Sequence, residues 1–478
     1  MRPVLLIDFG STYTKATAVD LDQEVILGTS PAFTTSDSDI GEGLTHALDR
    51  LCEKTGVLDY TARLACSSAA GGLRMMVSGL VPELTAQAAK LAALGAGAKI
   101  CRVFSHGLSR RDLEEIQADP PDIFLLTGGT DGGNRECIIG NAEKLATLTV
   151  RFPIILAGNR NAVDDCEDFL SEFPVTLCPN VMPHFGELDI EPVQREIRKL
   201  FLSRIVSARG LSKTQELLSG ILMPTPSAIL SAMVLLAGGT DREPGLGDLM
   251  AIDVGGATTD VYSIGWGEPD DINIILKGFE EPYAKRTVEG DIGVRYSAQG
   301  IVNETGLSQI ACQAEVTEDQ VQALLLELTC DKSLVARKCG DAIGRLDDAL
   351  AAGAVDIATR RHAGTLSEVY TVTGVVPVQT GKNLRRIRRI ILTGGPLIHA
   401  DDPLAIARRA LFSDSCPMSL RPLHAEILMD SQYILSAMGV LAEREPDVAL
   451  RIMKKELVRL GECRATDGDR RVAGPNIK

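Results

Sequence analysis

The sequence predicts an α/β protein with a duplicated core and an inserted parallel domain. Three observations predict it. A short apolar strand ending in Asp, one further residue and Gly occurs twice, as VLLIDFGSTYTKATAV near the start and as DLMAIDVGGATTDVYSI from residue 248. Strand candidates at 100–104, 122–126, 153–157 and 175–178 alternate with helical stretches, the signature of βαβ units on a parallel sheet. Finally, 45 glycines beside an aromatic share of only 4% suit tight turns and α/β packing better than a ligand-stacking aromatic surface.

The elements follow in order. Residues 3–9 (PVLLIDF) form an apolar run ending at a glycine turn, and 15–20 and 24–28 read as the next strands of a meander. Residues 62–67 (ARLACS) read as a further strand and 83–98 as an alanine-rich helix. Helices at 109–118, 134–147 and 161–172 fill the parallel segment, and a longer helical region covers 191–237 with breaks at Pro224 and Pro226. From 248 the opening pattern returns, which marks an internal duplication. Helices are expected at 316–329 and 337–363, a basic-edged strand at 387–395, then helices near 402–412 and 430–444. The expected organisation is a first lobe at 1–99, an inserted α/β domain at 100–215, a connecting helical region at 216–247, a second lobe at 248–460 and a flexible tail at 461–478.

Charge and cysteine usage narrow the function. The 64 acidic and 49 basic residues leave a formal charge of −15, against a nucleic-acid or anionic-membrane binder. The 11 cysteines are dispersed, with no C-x-x-C pair and no ligand-spaced grouping with the six histidines, which reads as reduced thiols rather than a zinc site. No run of 18 apolar residues and no signal-peptide apolar region occurs, so a cytoplasmic location is expected.

Chemistry concentrates in the repeated loop. In Asp8-Phe9-Gly10-Ser11-Thr12-Tyr13-Thr14-Lys15, glycine lets backbone amides approach phosphate oxygens, and Ser11 and Thr12 add hydroxyl donors. Lys15 can reach anionic oxygens as a point charge, and Asp8 can hold magnesium through water. The second loop repeats this with Asp253, Gly255, Gly256, Thr258 and Thr259. Either loop alone also fits an ordinary Asp-stabilised hairpin; their repetition favours a triphosphate and its metal. A third element, Ile391-Leu392-Thr393-Gly394-Gly395-Pro396, offers close backbone approach to a planar or sugar group. Leu126-Thr127-Gly128-Gly129-Thr130 and Leu236-Ala237-Gly238-Gly239-Thr240 look alike but read as ordinary strand or helix terminations. Glu289-Gly290-Asp291-Ile292-Gly293 fits either a nucleotide-side segment or a capped helix start. His362 reads as a cation closing a helix C-terminus rather than a nucleotide or partner contact. Cys66 reads as strand-end packing rather than a nucleophile, and the Arg385–Arg389 run as a solvated strand entrance.

The order of two phosphate loops and a strand-Gly-Gly element resembles the actin-like (ribonuclease H-like) ATPase superfamily of sugar kinases, heat-shock chaperones and actin. Met223-Pro224-Thr225-Pro226-Ser227-Ala228-Ile229 resembles its first connecting helix, and the stretch from Leu428 to Gly439 its second, whose small residues let helices cross closely. IDFGSTYTKATAVD, LACSSAAGGLRM, LMPTPSAILSA, DLMAIDVGGATTDVYSI and KRTVEGDIGVRYSA together resemble the glutamate-mutase-associated MutL (GlmL) family, distinct from the mismatch-repair protein of similar name. The resemblance implies duplicated ATPase lobes with an inserted parallel α/β domain, ATP or ADP with Mg2+ as cofactors, and an adenosylcobalamin-dependent mutase such as glutamate mutase as partner. By the same resemblance, Asp8 and Asp253 hold the metal through water. Gly10, Ser11, Thr12, Lys15, Gly255, Gly256, Thr258 and Thr259 line the phosphates, and Gly394, Gly395 and Pro396 sit beside adenosine. Asp253 and Thr258 orient the attacking water, with positioning doing most of the work of phosphoryl transfer. The expected function is that of a reactivating chaperone driven by ATP. The alternatives are a small-molecule kinase or an ATP-dependent hydantoinase/oxoprolinase-like enzyme of the same superfamily, and, more remotely, a filament protein.

Overall fold

Apolar runs of four to six residues that end in Asp-x-Gly or Thr-Gly-Gly make strands buried on both faces, and these build the centres of the three larger sheets. The structure, a computed structural model, describes residues 1–10, 13–34, 40–68, 73–207, 221–330, 341–371 and 374–465. It divides into two units, Met1–Leu235 with Ile434–Ile452, and Leu236–Tyr433 with Met453–Lys478.

The first unit carries β1 (Pro3–Phe9), β2 (Tyr13–Asp20), β3 (Val25–Phe33), β4 (Ala62–Ser67), β5 (Arg74–Gly79), β6 (Lys99–Ser105), β7 (Ile123–Leu126), β8 (Ile154–Leu156), β9 (Val175–Leu177) and β10 (Ile221–Pro224). One sheet has the order β10-β4-β1-β2-β3, with an antiparallel meander β1-β2-β3 and parallel neighbours β4 and β10. Every residue of β1 is buried. A second sheet, β6-β5-β7-β8-β9, is wholly parallel, and its core joins Met76, Phe104, Phe124, Leu126 and Ile154. The expected strands near 100, 122, 153 and 175 are its β6 to β9, but its second strand, β5, lies upstream of residue 100 and was not anticipated. The 191–237 region is not continuous helix: Ile221–Pro224 pairs with β4, Pro224 ends that strand, and Pro226 sits in the first turn of the helix Thr225–Gly238, where its missing N–H costs nothing. Helix Leu435–Ala442 crosses that helix so closely that a Cβ on Gly439 would overlap the Ala228 carbonyl. Residues 434–452 therefore pack in the first unit, although they fall inside the 248–460 span.

The second unit carries β11 (Leu249–Val254), β12 (Thr259–Ile264), β13 (Ile275–Lys277), β14 (Ala284–Glu289), β15 (Thr365–Thr371), β16 (Gly374–Thr380), β17 (Arg389–Thr393), β18 (His424–Met429) and β19 (Val458–Arg464). Its main sheet has the order β14-β12-β11-β17-β18-β19. The first five repeat the other unit's pattern: an antiparallel meander β11-β12-β14, then parallel β17 and β18 beside the leading strand. Both sheets thus have the 3-2-1-4-5 order of the ribonuclease H-like fold, which is the expected duplicated class. β19 adds an antiparallel sixth strand, so the polar stretch from 461 begins inside a sheet; residues 466–478 lie outside the described ones. A small sheet, β13-β16-β15, was not anticipated. Among the described residues no helix is long and apolar enough to cross a membrane.

Helix Ala342–His362 runs beneath the main sheet and ends in a buried polar cluster. The His362 ring meets Ser263 Oγ at 2.7 Å and Thr287 Oγ1 at 2.7 Å. Burial, reinforced by Lys285 and Lys382, pushes its pKa well below the ordinary value. His362 does close the helix as expected, but as a neutral ring and not as a cation. The Lys382 ammonium donates to the carbonyls of Ser263, Pro282 and Tyr283, at 3.2, 2.8 and 2.7 Å. Burial and the Lys285 charge bring its pKa down from 10.5 to about 7. The unfolded chain then holds a proton that the folded chain has released between pH 7 and 10.5, so stability rises with pH across that window. Urea unfolding of the wild type is expected to gain about 1–2 kcal/mol between pH 7 and 9, and Lys382→Met to lose that gain. A slope unchanged by the substitution would contradict the assignment.

Candidate functional site

In the first unit, the register of β1 sets Asp8 opposite Lys15 on β2 and Cys66 on β4, so the three side chains share one face. Asp8 is only 5% exposed, yet its carboxylate is well supplied with donors. Thr225 Oγ1 donates to Oδ1 at 2.6 Å, the Cys66 thiol to the same oxygen at 3.5 Å, and Ser436 Oγ to Oδ2 at 2.9 Å. Thr225 opens the helix Thr225–Gly238, and Ser436 lies three residues before the Gly439 crossing, so the two connecting helices position this carboxylate directly. Neither hydroxyl was anticipated. Their signal was present only as polar residues at the start of each apolar connecting helix. Burial and the neighbouring Asp8 push the Cys66 thiol up well above its usual range, which makes it a hydrogen-bond donor and no nucleophile. Gly10 closes the hairpin by donating to the Tyr13 carbonyl at 3.1 Å, and a Cβ there would strike that oxygen. Lys15 is half-buried, while Ser11 and Thr12 lie outside the described residues.

In the second unit, Asp253 is half-buried at the equivalent position, facing Asp260 on β12 and Thr393 on β17. Asp260 is neutralised by Arg286, whose Nε and Nη2 lie 2.8 and 2.6 Å from Oδ1. Its other oxygen accepts from Thr258 Oγ1 at 3.4 Å, so Thr258 stays half-exposed and lightly held. Asp260 and Arg286 are site residues the sequence did not single out.

The loop between these strands has an unusual hydrogen-bond pattern. The Gly255 carbonyl accepts from the Val294 amide at 3.2 Å, and that of Gly256 from the Arg295 and Tyr296 amides, both at 2.8 Å. The Ala257 carbonyl accepts from Ser297 Oγ at 2.9 Å. In a trans peptide the N–H points away from the preceding C=O. Tying back three successive carbonyls therefore turns the amides of Gly256, Ala257 and Thr258 to the opposite side, where no acceptor among the described residues meets them. Successive unpaired N–H groups make an anion-binding concavity. Residues 289–297 are thus the loop's clamp: Gly293 lies against Ala257, where a Cβ would overlap its backbone.

One expectation needs correction. Thr259 is fully buried and donates its hydroxyl to the Ile292 carbonyl at 3.0 Å, so it faces the core and not a ligand. Adjacent residues at a strand start point to opposite faces, so only one of Thr258 and Thr259 can face outward. The Arg385–Arg389 run keeps Arg386 and Arg388 exposed, as a solvated strand entrance would, and adds ion pairs from Arg385 and Arg386 to Asp270 and from Arg389 to Glu426. Gly394 adopts φ +101 and packs where a Cβ would strike Val254 and Asp253, which brings the end of β17 against β11. The Gly395 amide donates to Tyr433 Oη at 3.0 Å, and Pro396 lies in the first turn of the short helix Gly395–Ile398. Gly128 and Gly129 follow β7, and Gly238 ends the helix Thr225–Gly238 with Gly239 directly after it.

Two 3-2-1-4-5 sheets, each led by an Asp-bearing glycine hairpin, define an actin-like protein. Within that class, the chain belongs to the MutL protein family, whose profile matches residues 4–457. A relative, Protein MutL of Clostridium tetanomorphum, is 45% identical over 473 residues, covering 96% of this chain and 100% of that one. Among solved structures, the activator of the 2-hydroxyisocaproyl-CoA dehydratase from Clostridium difficile with bound ADPNP is 10% identical, at a TM-score of 0.33, over 95% of this chain and 97% of that one. Plasmodium falciparum glycerol kinase with ADP is 10% identical, at a TM-score of 0.37, over 98% and 95%. Likeness at that level carries no functional argument.

The donors on Asp8 give a direct stability test. Ser436→Ala and Thr225→Val each leave a buried carboxylate short of a hydrogen bond and are expected to cost roughly 1–3 kcal/mol, lowering the urea midpoint. An unchanged midpoint in both would contradict the buried network.

Proposed function

We propose that this chain is an ATP-binding and ATP-hydrolysing accessory protein that reactivates an adenosylcobalamin-dependent mutase, with glutamate mutase the expected partner. The observation that carries the nucleotide reading is the set of outward amides at Gly256, Ala257 and Thr258 in the loop that follows Asp253. Membership of the MutL family and the resemblance drawn from the sequence support the partner.

On this reading the loop amides bind phosphate oxygens, and Thr258 Oγ1, steered by Asp260, positions the attacking water. Gly10, Ser11, Thr12 and Lys15 serve the phosphates from the first loop, and Gly394, Gly395 and Pro396 serve adenosine. Asp8 fits a hydrated magnesium ion. Asp8 Oδ1 already accepts two side-chain donors and Oδ2 one, which leaves little capacity for direct ligation but suits hydrogen bonding to metal-bound water. The sequence resemblance implies the same role for Asp253. Magnesium would neutralise phosphate charge. The parallel sheet β6-β5-β7-β8-β9, which a plain duplicated core does not require, offers the surface for the mutase. For ATP to drive release of damaged cofactor, the mutase must bind the ATP and ADP states with unequal affinity.

Steady-state hydrolysis by the purified chain, alone and with cobalamin-inactivated glutamate mutase, tests this. Turnover stimulated by the inactive mutase is expected, with mutase activity restored by fresh adenosylcobalamin. Asp253→Asn is expected to reduce turnover by about 100-fold with an unchanged circular dichroism spectrum. Phosphate transfer to a small molecule, indifferent to the mutase, would favour a kinase and contradict the proposal.

A further inference from the structure

The geometry points to Arg295 and Asp347 as positioning residues that set the phosphate-binding amides of the second loop. This rests on the nucleotide reading above and goes beyond it by naming what fixes the amides' direction.

The clamp that ties back the loop carbonyls is itself irregular backbone. Val294, Arg295 and Tyr296 donate their amides to Gly255 and Gly256, and nothing in a turn of this kind holds it rigid by itself. Arg295 supplies the missing anchor. Its Nη1 and Nη2 reach Asp347 Oδ1 and Oδ2 at 2.6 and 2.7 Å, a two-pronged pair, and Nη1 also donates to the Val294 carbonyl at 3.0 Å. Its Cβ and Cγ lie under Gly256, 3.6 and 3.7 Å from where a Cβ would stand. One residue therefore supports the Gly256 peptide with its stem, its backbone amide and its charged head.

Asp347 belongs to helix Ala342–His362, the longest among the described residues of the second unit and buried along much of its length. Asp341 caps that helix by accepting from the Gly344 amide at 2.7 Å. At its far end Arg361 reaches Glu289 at 2.7 Å and Asp291 at 3.1 Å, where the clamp begins. Both ends of segment 289–297 are thus fastened to one rigid element. The Arg295 and Asp347 side chains are only 13% and 18% exposed, so this pair is not a solvent-screened surface bridge. Planar, two-pronged pairing is a property of arginine that lysine cannot copy.

Loss of the pair frees the clamp to shift. A rotation of the Gly256–Ala257 peptide turns the Ala257 N–H away from a bound phosphate. Adenosine carries no phosphate, so its binding does not depend on this peptide. A purely structural role would weaken both ligands together.

Calorimetric titration of the full chain with ATP, ADP and adenosine, in magnesium, separates these cases. For Arg295→Met and Asp347→Asn, the dissociation constants of ATP and ADP are expected to rise about tenfold or more, while that of adenosine stays within about twofold. Arg295→Lys is expected to recover only part of the loss. Equal losses for ATP and adenosine, no loss for either, or full recovery by lysine would overturn the inference while leaving the nucleotide reading intact. A wild type that binds none of the three would overturn both, and is recognised before any variant is made.

Discussion

Three peptide planes govern the second unit. The carbonyls of Gly255, Gly256 and Ala257 are each occupied from one side by residues 294–297, and trans geometry then leaves their following amides facing the other way. Much around the loop serves that arrangement. Gly293 makes room for Ala257, Gly394 lets β17 close on β11, and Thr259 directs its hydroxyl inward to the carbonyl of Ile292. A loop held this way has its donors aligned before any ligand arrives, which is what makes such groups effective toward developing charge.

The first unit solves a related problem with side chains. Its leading Asp8 occupies the same register position as Asp253, yet is more deeply buried and is satisfied by hydroxyls from two helices and a thiol from β4. The neighbours also differ in charge. Asp8 faces Lys15 across its hairpin, whereas Asp253 faces Asp260, which Arg286 neutralises. A charge opposite a like charge on paired strands is unfavourable, and the Arg286 ion pair relieves it. Duplication has kept the sheet order and the acid, while the surroundings of each acid have diverged.

The duplicated hairpins, most strands of the parallel sheet and the acids at the strand ends were legible because apolar runs buried on both faces and glycine turns announce themselves locally. Strand β5 escaped because RMMVSG comes one residue after Gly71 and Gly72 and reads as the tail of a loop. β15 is exposed on both faces and β16 is only partly buried, so no alternating apolar pattern marks the hairpin. The edge strand β19, VRLGECR, is charged in the way edges are, and its last four residues read as the start of a tail. Thr225 and Ser436 stand 217 and 428 residues from Asp8, a separation at which spacing says nothing. Thr259 was the avoidable error, since strand alternation already required one of the two threonines to face inward. His362 was placed correctly at a helix end for the wrong electrostatic reason, because burial beside two lysines is invisible in a linear sequence.

Hydrogen exchange followed by mass spectrometry, with and without Mg-ATP, tests the central claim most directly, since it reads the loop amides themselves. Peptides covering residues 250–262 and 4–18 are expected to exchange more slowly when Mg-ATP is present, with adenosine alone leaving the first of these unprotected. Exchange in residues 250–262 that Mg-ATP does not slow, at concentrations where binding is detected by another method, would contradict the assignment of those amides to phosphate.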